Sequence, residues 1–173
     1  PFIAWNKAFS VGCIELDDQH AQLLEVFAEL HAAMVGGKPH HTVTAILSRL
    51  IAYTGEHFRC EEQQMADAQF GDLEAHRRDH QMLLTQAAVA HAELSSSNLL
   101  LSMTTLEFLK QWLLEHIDRH DRAYATFLAA RPTETPLSEA FKKIGRPPAV
   151  LPGHDGDSSK LDEWLARWRR LFS

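Results

Sequence analysis

The chain has 173 residues, of which 45% are hydrophobic and 23% charged, and it carries a formal net charge of -6 at pH 7. This length predicts one domain with an appendage, large enough to bury its own core without disulfide bonds. The negative charge argues against a nucleic-acid-binding surface, and the lack of any run of eighteen apolar residues argues against a membrane span. With two cysteines and no secretory signal pattern, the sequence predicts a cytoplasmic protein.

Four long amphipathic segments follow a short N-terminal arm, and none of them shows the alternation that is typical of a strand. The predicted helices cover residues 18–35, 42–66, 72–93 and 98–129. The short loops between them make neighbouring helices antiparallel. The sequence therefore predicts an all-α, up-down-up-down four-helix bundle, with the N-terminal arm packed across it and a C-terminal helical extension.

The starts of the first two helices carry capping signals. Asp17 or Asp18 is predicted to cap the first helix, and Thr42 or Thr44 the second. Gly55 lies inside the second helix, where glycine lowers stability relative to alanine. Because it stands two residues before a histidine, we expect a neighbour to approach closely at this point.

Residues 131–173 are predicted to form a segment separate from the bundle of residues 1–130. Proline and glycine concentrate in residues 145–158, which indicates a linker. Residues 159–172 then predict an amphipathic helix whose apolar face consists of Leu161, Trp164, Leu165, Trp168 and Leu171. This face is expected to pack on the bundle; the alternatives are docking of a partner protein or a following signalling domain, and a membrane surface.

The chain contains 11 histidines, and several lie on the apolar faces of the predicted helices. His57 and Glu61 are four residues apart in the second helix, and His76 and His80 repeat this spacing in the third. Residues four apart share one face of a helix, so each pair points towards the core. Polar groups are costly to bury without partners, and imidazoles together with a carboxylate favour a metal. The pattern therefore predicts a metal site.

The histidines also lie at one height in the predicted bundle. Each helix places a histidine about fourteen to seventeen residues from the end that carries the first and third loops: His20, His57, His80 and His116. At ~1.5 Å per residue, each stands roughly 21–26 Å from that end. In the fourth helix the spacing leaves two candidates for a further ligand, His120 and Asp121, which follow His116 by four and five residues.

Six motifs in the first 130 residues resemble those of the bacterial hemerythrins. They are Trp5, Val11-Gly12, Leu16-Asp17-x-Gln19-His20, His57-Phe58-x-x-Glu61-Glu62, His76-x-x-x-His80 and His116-Ile117-x-x-x-Asp121. A single HxxxH motif would be weak evidence, but here all seven ligand types recur in order at the expected spacings. The resemblance implies a four-helix bundle that holds a non-haem di-iron centre and binds O₂.

The resemblance also implies which residues hold the two iron ions (Fe²⁺/Fe³⁺). One iron takes three terminal histidines and the other takes two, while two carboxylates and an oxo or hydroxo group bridge them. The three terminal histidines are His76, His80 and His116, and the other two are His20 and His57. The bridging carboxylates are Glu61 and Asp121. The two-histidine iron keeps an open position for O₂, and NO is a second candidate. On this assignment His120 is a neighbour of the site and not a ligand.

Four apolar residues stand one turn or one residue from these ligands and are predicted to line the O₂ pocket: Leu23, Phe58, Leu113 and Ile117. Glu62 and Asp79 are either solvated helix positions or hydrogen-bond partners of ligating imidazoles. A histidine-rich set favours binding over oxidation, so no catalytic residue is predicted. We expect reversible O₂ binding; the alternatives are a sensor of O₂, NO or redox state that signals through the C-terminal extension, and a di-iron peroxidase or NO-handling enzyme.

Overall fold

The computed structural model describes residues 2–96 and 101–131, and every regular element in these ranges is helical. A 3-10 turn at Lys7–Phe9 precedes α1 (Ile14–Val35), α2 (His40–Asp67), α3 (Leu73–Ser96) and α4 (Met103–His116). A π-helical turn at Ile117–Asp121, here called the π turn, leads directly into α5 (Arg122–Ala129). Together, α4, the π turn and α5 form one continuous rod. None of the described helices is long and apolar enough to cross a membrane.

The four rods pack in a ring, since α1 contacts α2, α2 contacts α3, α3 contacts α4, and α4 returns to α1. Leucine side chains fill the interior; Leu24, Leu30, Leu47 and Leu106 are fully shielded from solvent. Burying each of these side chains stabilises the fold by roughly 1.5–3 kcal/mol. The prediction of an all-α four-helix bundle is confirmed for the part of the chain that the structure describes.

The start of α1 differs from the prediction. The helix begins at Ile14, and Cys13 precedes it without a capping side-chain hydrogen bond. Asp17 lies within the first turn, where its carboxylate accepts from the Val11 N–H at 2.8 Å and from the Ser10 hydroxyl at 2.5 Å. The predicted aspartate cap is therefore wrong, because this carboxylate binds the preceding arm. A negative charge in the first turn also interacts favourably with the helix dipole.

The second helix departs from the prediction at two points. It begins at His40, directly after Pro39, and Thr44 donates within the helix to the His40 carbonyl, so the predicted threonine cap is wrong. At Gly55, an added Cβ would lie 4.0 Å from Cδ2 of Leu84, which is an ordinary contact. The expected close neighbour is therefore not there, and the space around Gly55 would accept alanine.

The N-terminal arm is held at both ends against the bundle. Arg122, the first residue of α5, donates from Nη1 to the Ser10 carbonyl at 2.9 Å and from Nη2 to the Ala8 carbonyl at 3.3 Å. Near the start of the chain, Phe2 stacks on His31 of α1, with ring centroids 4.0 Å apart. The arm is therefore packed across the bundle, as predicted.

The predicted linker and C-terminal helix fall within residues 132–173, which lie outside the described part of the chain. Within that part, the residues up to Ala129 belong to one compact unit. The predicted domain boundary at residue 130 and the roles considered for the C-terminal segment stay predictions.

Candidate metal centre

The seven residues predicted to bind metal come together in the interior of the bundle. None is more than 3% exposed. Their ligand atoms form two groups, and within each group all lie within 4.8 Å of one another. The contributing elements are α1 (His20), α2 (His57 and Glu61), α3 (His76 and His80), α4 (His116) and the π turn (Asp121).

The three-histidine group contains three imidazoles and two carboxylates: Glu61, His76, His80, His116 and Asp121. The His76 Nε2 atom lies 3.3 Å from Glu61 Oε2 and 3.3 Å from Asp121 Oδ1. The His116 Nε2 atom is 2.9 Å from Asp121 Oδ1, and the His80 Nε2 atom is 3.5 Å from Glu61 Oε2. Atoms from three of the four rods thus converge on one small volume.

The two-histidine group contains His20, His57 and Asp121. The His20 Nε2 atom lies 3.0 Å from Asp121 Oδ2, yet neither atom makes a hydrogen bond, and His57 Nε2 is also buried without one. Such atoms are costly to bury, and a cation would satisfy all of them at once. Asp121 presents one oxygen to each group, as a bridging carboxylate does. Glu61 Oε1 is likewise buried without a hydrogen bond, and the bridging role of Glu61 stays a prediction.

Two carboxylates accept hydrogen bonds from imidazoles of the three-histidine group, at the Nδ1 atoms on the side away from the cluster. The His80 Nδ1 atom donates to Glu62 Oε1 at 2.8 Å, and the His116 Nδ1 atom donates to Asp79 Oδ2 at 2.7 Å. Arg77 donates to the other oxygen of Glu62 at 3.3 Å. Of the two alternatives left open for Glu62 and Asp79, the structure therefore favours the hydrogen-bonding role, which orients an imidazole and sets its tautomer.

Gln19 plays the corresponding part in the two-histidine group. Its Oε1 atom accepts from His57 Nδ1 at 2.5 Å, and both side chains are buried. This role of Gln19 is not predicted by its sequence pattern. The available signal was its place directly before His20, because a polar residue beside a buried histidine must itself find a partner in the core.

The hydrogen bonds at Nδ1 determine whether the Nε2 atom of each ring is a donor or an acceptor. A carboxylate only accepts, so the Nδ1 atoms of His80 and His116 both carry a proton. In neutral imidazoles the Nε2 atoms are then both lone-pair acceptors, and these two lie 3.0 Å apart. Two acceptors at this distance repel each other unless a proton or a cation lies between them. The residues present therefore fit a bound metal ion.

The π turn explains how Asp121 joins the site. In a regular α-helix, Asp121 would lie about 140° round the axis from His116. A π-helical turn bonds residues five apart and returns the fifth residue to the starting face. His120 instead stacks on the outer side of His116, with centroids 5.2 Å apart and a side chain 40% exposed. The geometry thus favours Asp121 over His120 as the ligand.

The carboxylates and imidazoles shift one another's pKa values. Burial lowers the pKa of His57 to about 3. Burial would also lower the pKa values of His116 and His76. The neighbouring carboxylates of Asp121 and Glu61 outweigh it and raise the pKa of His116 to about 10 and that of His76 to about 8. Burial would raise the pKa of Asp121, yet the nearby charge of His116 holds it well below its ordinary value. The neighbouring carboxylates therefore favour the protonated forms of His116 and His76 when no metal is bound.

Apolar side chains surround the polar cluster. The four predicted pocket residues, Leu23, Phe58, Leu113 and Ile117, are each no more than 1% exposed. Phe58 stacks on the ring of His80, with centroids 3.6 Å apart. Leu113 also lines an apolar cavity together with Thr54 and Leu83, and each of these three stands three residues from a predicted ligand. The cavity therefore begins about one helical turn from the cluster, while its use by O₂ stays a prediction.

A protein-family model described as "Hemerythrin HHE cation binding domain" matches residues 14–128, a span that includes all seven predicted ligands. The chain belongs to the hemerythrin family. This membership confirms the resemblance that the sequence motifs indicated. It also agrees with the buried cluster of histidine, glutamate and aspartate side chains, in which several nitrogen and oxygen atoms make no hydrogen bond.

Several known proteins are similar to this chain over the residues of the bundle. A bacteriohemerythrin of Ralstonia nicotianae is 30% identical over 131 residues, which are 76% of this chain and 92% of its own length. One from Methylococcus capsulatus is 28% identical over 129 residues, or 74% and 98% of the two chains. A crystal structure of wild-type hemerythrin matches with a TM-score of 0.70 and 27% identity, covering 75% of this chain and 100% of the other.

Proposed function

We propose that this hemerythrin-family chain holds two iron ions and binds O₂ reversibly. The observation that carries the proposal is the convergence of seven buried donors in two groups that share Asp121. Five imidazoles and two carboxylates suit a metal in the range of iron, copper and zinc. One ion would be held by His76, His80 and His116, the other by His20 and His57, with Glu61 and Asp121 between them. An oxo or hydroxo group would complete the charge balance.

The unequal donor sets favour gas binding at the two-histidine ion. The three-histidine group offers five donors, whereas the other offers three: His20, His57 and Asp121. Two imidazoles and one carboxylate are the set that leaves positions open in many non-haem iron sites. When bound there, the iron pair would supply the electrons that O₂ accepts.

The surrounding side chains favour release of O₂ unchanged. Reversible binding requires that water and free proton donors be kept from the bound gas. Phe58 lies against the rings of His57 and His80, with centroids 5.5 Å and 3.6 Å apart, and Leu113 lines the neighbouring cavity. Leu23 and Ile117 add apolar surface that is fully buried. These residues do no chemistry; they exclude water from the open half of the centre.

Sensing is a second candidate, and one contact favours it. Asp121 belongs to both donor groups, and the next residue, Arg122, holds the carbonyls of Ser10 and Ala8 in the N-terminal arm. A ligand change that moves Asp121 would therefore also move Arg122 and the arm. A sensor of this kind would tolerate rapid oxidation of its iron, whereas an O₂ carrier needs a long-lived oxygenated form.

Optical spectroscopy of the iron-loaded chain tests the proposal. We expect the reduced protein under argon to gain visible absorption in air and to lose it again when O₂ is removed. A matched pair of variants would locate the effect: His57→Ala should abolish the change, and His91→Ala, at a surface imidazole that contacts Ser48, should keep it. Two zinc ions and no iron in protein from iron-replete cells, or a spectrum indifferent to O₂, would overturn the proposal.

A further inference from the structure

Two of the three imidazoles in the three-histidine group are hydrogen-bonded to a charged group through Nδ1, the ring nitrogen on the side away from the cluster. The carboxylate of Glu62 accepts from His80 Nδ1, and the carboxylate of Asp79 accepts from His116 Nδ1. Their side chains are 23% and 20% exposed, so solvent screens these charges only in part. Glu62 is shared with Arg77, which binds its other oxygen, but both bonds to imidazole remain charge-assisted.

Among the described residues, no charged side chain is hydrogen-bonded to Nδ1 of either imidazole in the two-histidine group. The His57 Nδ1 atom meets the neutral amide oxygen of Gln19. The Nδ1 atom of His20 is buried and makes no hydrogen bond. The two halves of the centre therefore differ in the charge behind their imidazoles as well as in their number of donors.

This difference has a direct effect on metal binding. Hydrogen bonds to an ionised partner are roughly twice as strong as those between neutral groups. A carboxylate that draws on the Nδ1 proton also makes the opposite nitrogen of the ring a better donor to a cation, and losing such a partner commonly weakens metal binding about 10- to 100-fold. A neutral amide orients the ring without this gain.

We propose that Glu62 and Asp79 are positioning residues that make the three-histidine half bind its metal ion more tightly, while Gln19 leaves the two-histidine half the weaker and more readily emptied one. The inference rests on the proposed two-metal centre. Donor number alone would also favour the three-histidine half, so the test compares variants and not the two halves.

The test is a titration of the metal-free full chain with Co²⁺, followed through the visible absorption bands of the bound ion. We expect two binding steps. Glu62→Gln and Asp79→Asn should each weaken the tighter step about tenfold and leave the weaker step within about twofold. Gln19→Glu should strengthen the weaker step alone. Thermal unfolding of each metal-free variant shows whether the fold persists, and if Gln19→Glu does not fold, the other two variants still decide the matter.

Glu74→Gln is the matched control. Glu74 also pairs with Arg77, at 2.7 Å, and its removal takes away the same unit of charge, but it lies in α3, the helix of Asp79, and faces solvent with a side chain 72% exposed. We expect neither step to change. The inference is overturned if Glu74→Gln weakens the tighter step as Glu62→Gln does, or if Glu62→Gln and Asp79→Asn change both steps equally or not at all. Wild-type protein that binds fewer than two Co²⁺ ions would instead overturn the two-metal centre itself.

Discussion

The Nε2 atoms of His80 and His116 face each other at 3.0 Å, although each ring already donates its Nδ1 proton to a carboxylate. Two lone pairs at this distance require a positive charge between them. A proton can supply that charge in the metal-free protein, because the pKa of His116 is raised to about 10 by the nearby carboxylates acting against burial. A metal ion can supply it as well, and a second ion would satisfy the buried atoms of the two-histidine group.

Metal should therefore stabilise the fold strongly. With free metal about a thousandfold above its Kd, the free energy of unfolding should rise by about 4 kcal/mol, which raises the Tm by roughly 10 °C for a domain of this size. Thermal unfolding with added Fe²⁺ or Co²⁺, against the same protein in chelator, measures this shift. His80→Ala should lose most of it and His91→Ala should retain it; equal shifts in both variants would contradict a site at His80.

Asp121 should be indispensable to both ions because it contributes to both groups. We expect Asp121→Asn to lose both ions and Glu61→Ala to lose one or both, as measured by elemental analysis of purified protein. Asp118→Asn is the control, since Asp118 is 70% exposed and pairs with Arg122. His120→Ala should also retain two ions. Loss of metal in His120→Ala with retention in Asp121→Asn would reverse the assignment in the π turn.

The stability of the metal-free protein should fall as pH rises from about 6.5 to 8.5. The pKa of His116 is raised from 6.5 to about 10, so its contribution is complete below pH 6.5 and is lost on the way to pH 10. His76, with a pKa raised to about 8, acts in the same direction. Urea unfolding across this range measures the slope. His116→Gln should flatten it, and saturating metal should remove it, because the ion replaces the protons.

At acid pH the sign reverses. The pKa of Asp121 lies below its ordinary value, so the stability it contributes is present above that value and is lost as pH falls through the folded-state pKa. His57, with a pKa lowered to about 3, also makes the folded state less favourable below pH 6.5. The metal-free protein should thus be most stable near pH 6, and a maximum above pH 8 would contradict these assignments.

Arg122 should matter more than its half-exposed position suggests. Arg122→Gln removes two hydrogen bonds to carbonyls of the N-terminal arm and should lower the free energy of unfolding by about 1–2 kcal/mol. Hydrogen exchange should accelerate in residues 2–11. Arg119→Gln removes only a surface pair with Glu115, with the Arg119 side chain 71% exposed, and should change stability by less than about 0.5 kcal/mol. Unchanged exchange in the arm of Arg122→Gln would show that the arm is held elsewhere.

Gly55→Ala should stabilise the protein by about 1 kcal/mol, because α2 gains helix propensity and Leu84 leaves room for the methyl group. Gly37 provides the contrast, since its φ of +62° lies in the left-handed region, where alanine is strained. Gly37→Ala should therefore be destabilising. Urea unfolding of both variants checks the two signs.

Much of the site was predictable because, in a regular helix, the number of residues between two side chains determines whether they lie on the same face. His57 with Glu61, and His76 with His80, needed only the four-residue repeat of a straight helix to be placed on one face. Asp121 could not be chosen over His120 in this way, because helical spacing assumes a regular α-helix and does not reveal where the helix widens into a π turn. The resemblance to a family supplied that choice.

The remaining differences have a similar origin. Asp17 lies inside α1 and accepts hydrogen bonds from Ser10 and Val11 of the arm, a contact that capping preferences do not reveal. The role of Gln19 depends on which atom of α2 faces it. Local patterns predict which residues point inward, whereas partners from another helix become evident only when the helices are packed together.

The π turn amounts to one residue inserted into an otherwise regular rod. In a straight α-helix, an extra residue would rotate everything after it by about 100°, and the wider π turn takes up this rotation. Deleting a single residue between Ile117 and His120 would therefore place Asp121 four residues after His116, on the same face of a straight helix. The centre and Arg122 should tolerate that deletion, whereas an insertion at the same point would redirect both together, because they share one register along the chain.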